Sequence, residues 1–195
     1  FSFSPYSIQT GYYQSAILAK ISSSGVWQWA DSYGPSGSYQ TTAIEVDSQG
    51  YIWAAANNEI TKFDSSGNNQ FIHTIGGLGR LKIYDMITDS NDDLFTTGTF
   101  KSTSIEINGT YQTIITPNTD WNLFVHKIDS SGNGKWFSTS RNSTSSALSY
   151  SITIDSNDDI FITGNYYGNF ELDSIVMNAG GTEQGFVAKL SPNGQ

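Results

Sequence analysis

One segment recurs four times in this chain: AILAKISSSG, EITKFDSSG, FVHKIDSSG and FVAKLSPNG, each a β-forming run, a lysine, an apolar residue and a small-residue turn. The lysines are Lys20, Lys62, Lys127 and Lys189, at intervals of 42, 65 and 62 residues. A second segment, an Asp-Ser turn followed by an apolar, often β-branched run, occurs as VDSQGYIWAA, TDSNDDLFTTG and IDSNDDIFITG. Its aspartates, Asp47, Asp89 and Asp155, lie 42 and 66 residues apart. Two independent markers share one period. A fixed period decides architecture before local propensity does, because each repeated unit must bury its face against the next.

Both markers read as hairpins, since each sets a Ser/Asn/Gly/Asp turn between runs of β-formers. Gly50 takes the slot filled by Asp92 and Asp158 in later units, a slot suited to residues that tolerate a left-handed backbone. In its shortest form a unit is four strands: Thr42–Val46, Tyr51–Ala56, Glu59–Phe63 and Asn69–Phe71. The longer units carry extra residues between their second and third strands, after Gly98 and after Gly164. In the first of these inserts Ile105-Glu106-Ile107 and Tyr111-Gln112-Thr113-Ile114 flank Asn108-Gly109, the dipeptide of a type I′ turn, which predicts an added hairpin. The matching stretch Phe170–Met177 is strand-like.

Four-stranded units of about 40 residues or more are propeller blades in sequence, whereas an immunoglobulin-type sandwich would show strands without the internal echo. The expected fold is all-β, a partial β-propeller of four-stranded antiparallel blades. Its divisions are a partial blade over 1–40, a blade over 41–81, a blade over 82–148 with an inserted hairpin, and an incomplete blade over 149–195 with an inserted segment. Fewer blades than the roughly 4–8 that close known propellers leave open faces, for which the expected cover is the remaining blades of a parent protein or copies of this chain.

FVAKLSPNG, FVHKIDSSGNGKW, AILAKISSSGVWQWA and IDSNDDIFITG together resemble the SBBP group of bacterial and archaeal β-propeller repeats, over nearly the whole chain. The first complete unit departs from that pattern, with Ala55-Ala56-Asn57 where the group ends its second strand in Thr-Gly. The resemblance implies propeller architecture in large secreted or surface proteins, including ones exported by type IX secretion, and implies no chemistry.

The charge balance narrows the partners. Nine basic against eighteen acidic residues give a net charge of −9, which repels phosphate backbones and anionic lipid, so nucleic acid is not expected as a partner. Only 14% of residues are charged, and a surface of Ser, Thr, Asn and Gln points outside the cell. The absence of cysteine removes disulfides, thiolate metal sites and cysteine nucleophiles. No run approaches the roughly 20 apolar residues of a spanning helix, so membrane insertion is not expected. The opening FSFSPYSIQT, without Met or a charged-then-apolar leader, reads as a mature chain or an excerpt.

Candidate sites are few. Asp89, Asn91 and Asp93, and likewise Asp155, Asn157 and Asp159, place oxygen side chains at first, third and fifth positions, as calcium loops do. The following glycine and distal glutamate of such loops are missing, and the equivalent Asp47-Ser48-Gln49-Gly50 is a plain turn, so the turn reading is preferred and no cofactor is expected. The repeated lysines read as stems laid along a blade and paired with turn carboxylates. Trp29, Phe71 and Trp136, each four residues past a turn glycine, read as blade packing. Tyr12, Tyr13, Tyr166 and Tyr167, in Gly- and Ser-rich connections, and Trp27, without an aromatic equivalent in other units, are the candidate ligand-binding residues, for a protein or a glycan met at the rim. His73 and His126 fall on different repeat positions, with no carboxylate or second histidine at ligand spacing. No nucleophile elbow, phosphate loop or zinc motif is present, so no catalytic residue is named.

The expectation is a non-enzymatic scaffold or binding module, extracellular or on the cell surface. The alternatives are a structural subunit of a surface filament or assembly, or a propeller-type polysaccharide lyase or hydrolase.

Overall fold

The structure, a computed structural model, describes residues 2–3, 6–7, 16–34, 41–76, 80–102, 104–107, 110–113, 120–142 and 146–195. Strands β1 (Ser2–Phe3) and β2 (Tyr6–Ser7) pair with each other, and β3 (Ala16–Ile21) and β4 (Trp27–Tyr33) form a hairpin, the first blade fragment. A second blade follows as the meander β5 (Thr41–Val46), β6 (Ile52–Ala56), β7 (Glu59–Phe63) and β8 (Asn69–Gly76). The third blade begins with β9 (Arg80–Thr88) and β10 (Leu94–Lys101), passes through the insert hairpin β11 (Ser104–Ile107) and β12 (Thr110–Thr113), and ends with β13 (Asn122–Ile128) and β14 (Gly134–Thr139). After β15 (Arg141–Asn142) come β16 (Ala147–Ile154), β17 (Ile160–Leu172) and β18 (Ile175–Leu190), the fourth blade. Among the described residues there is no helix, so none is long and apolar enough to cross a membrane. The fold is an all-β partial propeller.

The turns form because aspartate side chains replace missing backbone partners. Asp89 Oδ1 accepts from the Asn91 and Asp93 amides at 2.9 and 3.0 Å, and Asp155 Oδ1 from those of Asn157 and Asp159 at 2.8 and 3.1 Å. The fourth residue of each turn, Asp92 or Asp158, is left-handed at φ 60°.

Blades stack because alternate residues of each strand serve opposite faces. Ile52, Ala54 and Ala56 of β6 pack on Ala16, Leu18 and Tyr33 of the first fragment, while Trp53 and Ala55 face the third blade. In β10, Leu94 and Phe100 face the second blade and Phe95 the fourth. Both strands are buried on two sides, which is why they lack polar alternation.

The inserts reach beyond their own blades. β11 pairs with β8, Ile107 opposite Ile75, so the third blade's insert extends the second blade's outer edge. Likewise β15, following the outer strand of the third blade, pairs with the far end of β17, Asn142 opposite Phe170. Each insert thus ties its blade to the preceding one, and β11 also covers the second blade's edge. Ile105 and Ile107 enter the second–third core, and Phe170 and Leu172 the third–fourth core.

Candidate functional site

Three of the repeated lysines pair with carboxylates of their own blades, and Lys20 and Lys62 reach the next blade. Lys62 pairs with Asp47 at 3.2 Å and reaches the Ser130 carbonyl of the third blade at 3.0 Å. Lys127 pairs with Asp89 at 2.9 Å and Asp93 at 3.2 Å, Lys189 with Asp159 at 2.6 Å, and Lys20 donates to Ser65 of the second blade at 3.0 Å. The aromatic of each fourth strand seats on a turn glycine of the next blade: Trp29 on Gly67, Phe71 on Gly132, Trp136 on Gly194. Both tryptophans also donate across the joint, Trp29 to Ser65 at 3.1 Å and Trp136 to Pro192 at 3.2 Å.

The four carboxylates considered for calcium are engaged by amides or lysines. Asp89 divides its oxygens between its own turn and Lys127, Asp93 serves Lys127 and the Ser130 amide, and Asp159 serves Lys189. Asn91 and Asn157 contribute their backbone amides to these turns. Among the described residues, no group of three or more His, Cys, Asp or Glu could hold a metal ion.

Of the ligand candidates, Tyr12 and Tyr13 lie outside the described residues. Trp27, half-buried, sits opposite Ile21 in the first hairpin. Adjacent Tyr166 and Tyr167 point to opposite faces of β17 and so meet different surroundings. Tyr166 packs on Phe170 and Phe186, with ring centroids 5.0 and 6.4 Å away, and Tyr167 is 52% exposed, opposite Glu183.

A further pair of tyrosines comes from the inner strands. The ladders of β5, β9 and β16 each break register at one residue, Thr42, Tyr84 and Tyr150, all five positions before the turn aspartate. Such a bulge re-aims its side chain. Tyr84 and Tyr150 meet edge to face at 5.6 Å, and the Lys82 ammonium lies 5.6 Å over the Tyr84 ring. Tyr150 is 42% exposed, and partial burial, with Tyr84 and Glu183 nearby, raises its hydroxyl above the ordinary tyrosine range. Beside it runs an open groove of about 440 Å³ lined by Tyr150, Thr163, Asn165, Phe186 and Val187, and Asn165 Nδ2 donates to Glu183 Oε1 at 3.0 Å. The shared offset of Tyr84 from Asp89 and Tyr150 from Asp155 is the sequence signal for this pair. It identifies the position but not the bulge that displays the rings.

No family model matches the chain, and no curated protein matches it. Solved structures similar to it include a protein of unknown function from Bacteroides caccae, 10% identical over 91% of this chain and 73% of that one, with a TM-score of 0.37. A streptogramin B lyase is 13% identical over 75% of this chain and 54% of that one, at 0.33. A catalytically inactive virginiamycin B lyase from Staphylococcus aureus with quinupristin is 12% identical over 89% of this chain and 60% of that one, at 0.36. The chain therefore spans less than two thirds of these two lyases. The expectation that the chain is not an enzyme is corrected by these neighbours, which include enzymes, and the exclusion of catalysis is withdrawn.

Proposed function

We propose that the chain is an SBBP-type segment of an extracellular or cell-surface propeller that recognises a glycan. The observation that carries this reading is the displayed tyrosine surface: Tyr150 and Tyr167 exposed on the fourth blade, with a groove beside Tyr150 lined by Asn165, whose amide bonds the Glu183 carboxylate. A tyrosine ring offers a flat face to the C–H side of a sugar, and an amide with a carboxylate bonds its hydroxyls. The net charge of −9 favours neutral or cationic ligands over anionic ones. A protein ligand met through the same rings is the second form of this reading.

The open face of the first fragment supports further blades as partners, with copies of the chain as the alternative. Val26 is exposed there, and among the described residues nothing stands within 4 Å of a Cβ built on Gly25, where Gly67, Gly132 and Gly194 each meet an aromatic of the preceding blade.

A glycan array, read with wild type, Tyr150→Ala, Tyr167→Ala and Lys189→Ala at matched folding by circular dichroism, tests the site. Binding lost in the tyrosine variants and kept in Lys189→Ala is the expected outcome. Binding lost only in the lysine variant, or no glycan binding by the folded wild type, would overturn it, and a pulldown lost in the tyrosine variants would reassign the ligand to protein.

A further inference from the structure

The two histidines of the chain, His73 on β8 and His126 on β13, come from different blades and meet in the core between the second and third. Both rings are sealed from solvent, at 1% and 0% exposure. Their Nε2 atoms are 3.1 Å apart, His73 Nδ1 lies 3.0 Å from the Gly132 carbonyl, and His126 Nδ1 lies 2.7 Å from the Trp136 carbonyl. A carbonyl oxygen only accepts, so each Nδ1 must carry a hydrogen. A neutral imidazole has one ring hydrogen, which leaves two bare Nε2 lone pairs facing each other at hydrogen-bond distance. Moving a hydrogen to Nε2 within either ring transfers the conflict to a carbonyl. Three contacts require three protons, and two neutral rings supply two.

We propose that the pair holds one additional proton between the two Nε2 atoms, and that this buried proton fastens the second blade to the third. The proton comes from solvent and leaves to solvent when the joint opens. A lone buried cation is costly, and three hydrogen bonds with every donor and acceptor matched offset that cost.

The charged groups around the pair are few. Asp129, on the turn whose Gly132 carbonyl meets His73, favours charge on that ring and is itself paired with Lys135 at 3.5 Å. Lys62 on β7 is directed to the Ser130 carbonyl, and Lys127 leaves β13 towards Asp89 and Asp93. Glu106 on β11 lies against Gly76, and Glu59 on β7 is opposite Thr74. Among the described residues none forms an ion pair with either ring. Phe137 lies 5.6 Å from the His126 ring, and Thr96, opposite His126 on β10, has a buried hydroxyl without a hydrogen-bond partner.

Burial, with the neighbouring ring adding to it, holds His126 far below the ordinary imidazole range, at about 3, so a second proton enters only at strongly acid pH. At His73 too burial outweighs the Gly132 carbonyl and Asp129 and holds the ring below the ordinary imidazole range, so the shared proton rests on the matched hydrogen bonds of the pair and not on either ring alone. The unfolded chain carries two imidazole protons below about pH 6.5 and none well above it. The folded pair carries one across that range. Stability therefore rises with pH up to about 6.5, where unfolding takes up a proton, and falls above it, where unfolding releases one. Each arm changes the folding equilibrium constant about tenfold per pH unit.

With two histidines in the chain, ¹⁵N-histidine labelling of the 195-residue protein reads the pair directly. At pH 7 to 8 the expected spectrum shows Nδ1 of both rings protonated and one proton shared by the Nε2 atoms. Urea melts from pH 5 to 9 are expected to peak near 6.5 in wild type and to lose the fall above it in His73→Gln and His126→Gln. Two neutral rings in the spectrum, or a wild-type plateau above pH 7, would overturn the proposal even if neither variant folds. So would a zinc-dependent rise in midpoint abolished by both substitutions, which would make a metal ion the occupant.

Discussion

The Asp92 carboxylate of the third blade accepts from the Ser48 amide at 2.8 Å and the Ser48 hydroxyl at 2.9 Å, both in the second blade. Asp158 of the fourth blade grips Ser90 of the third in the same way, at 3.2 and 2.6 Å. The left-handed turn position thus does two things, shaping its own hairpin and clasping the preceding one. Asp92 is held below the ordinary carboxylate range, first by the Gln49 amide and then by the Ser48 N–H. That stabilisation is present above the ordinary aspartate value of about 4 and is lost as pH falls through the lower folded value. Asp92→Ala is expected to cost about 1–3 kcal/mol, less so at acid pH, in urea melts at pH 7 and pH 3. Equal loss at both pH values would show that the clasp does not depend on charge.

Gly132→Ala tests the aromatic seat. Its φ is 93°, and a Cβ there would lie 2.7 Å from the Phe71 ring, so both strain and collision oppose any side chain. A loss of about 1–3 kcal/mol is expected from the backbone alone, and more from the collision. Phe71→Ala in the same chain should recover the collision part. A double-mutant cycle with no coupling would remove the seat from the account.

The crossover of the third blade's insert predicts where its loss is felt. Ile105 is buried in the core between the second and third blades, and Ile105→Ala is expected to cost about 2–4 kcal/mol. Hydrogen exchange should accelerate at β8 amides such as Gly76, opposite Glu106 in the preceding blade, before it does at β10. Protection lost in β10 alone would contradict the pairing.

Calcium should leave the melting midpoint unchanged, because the turn carboxylates are already engaged by amides and lysines. Asp93→Ala is expected to lower the midpoint equally with and without calcium, through the lost Lys127 pair. A calcium-dependent rise abolished by Asp93→Ala would restore the metal reading.

Strand positions were legible because turn chemistry is local. The predicted Glu59–Phe63 is β7, and the Asn108-Gly109 dipeptide correctly announced paired strands on either side of it. Even the Thr-Gly ending of the second strand now has a cause: a Cβ on Gly98 or Gly164 would stand 2.0 or 1.9 Å from the Lys82 or Leu148 carbonyl, beside the bulge. Tyr166 and Tyr167 read alike as loop tyrosines until the pleat turned one ring inward.

By itself the sequence determined the period, the four-stranded unit, the turn residues and the aromatic joint, because each is set by a few residues acting on near neighbours or repeated at a fixed interval. Tertiary structure alone decided the crossing of the inserts, the clasp of Asp92 on Ser48, the displayed pair Tyr84 and Tyr150, and the meeting of His73 with His126. These relations join residues 28 to 66 positions apart through face-to-face stacking, which periodicity implies without saying which side chains will touch.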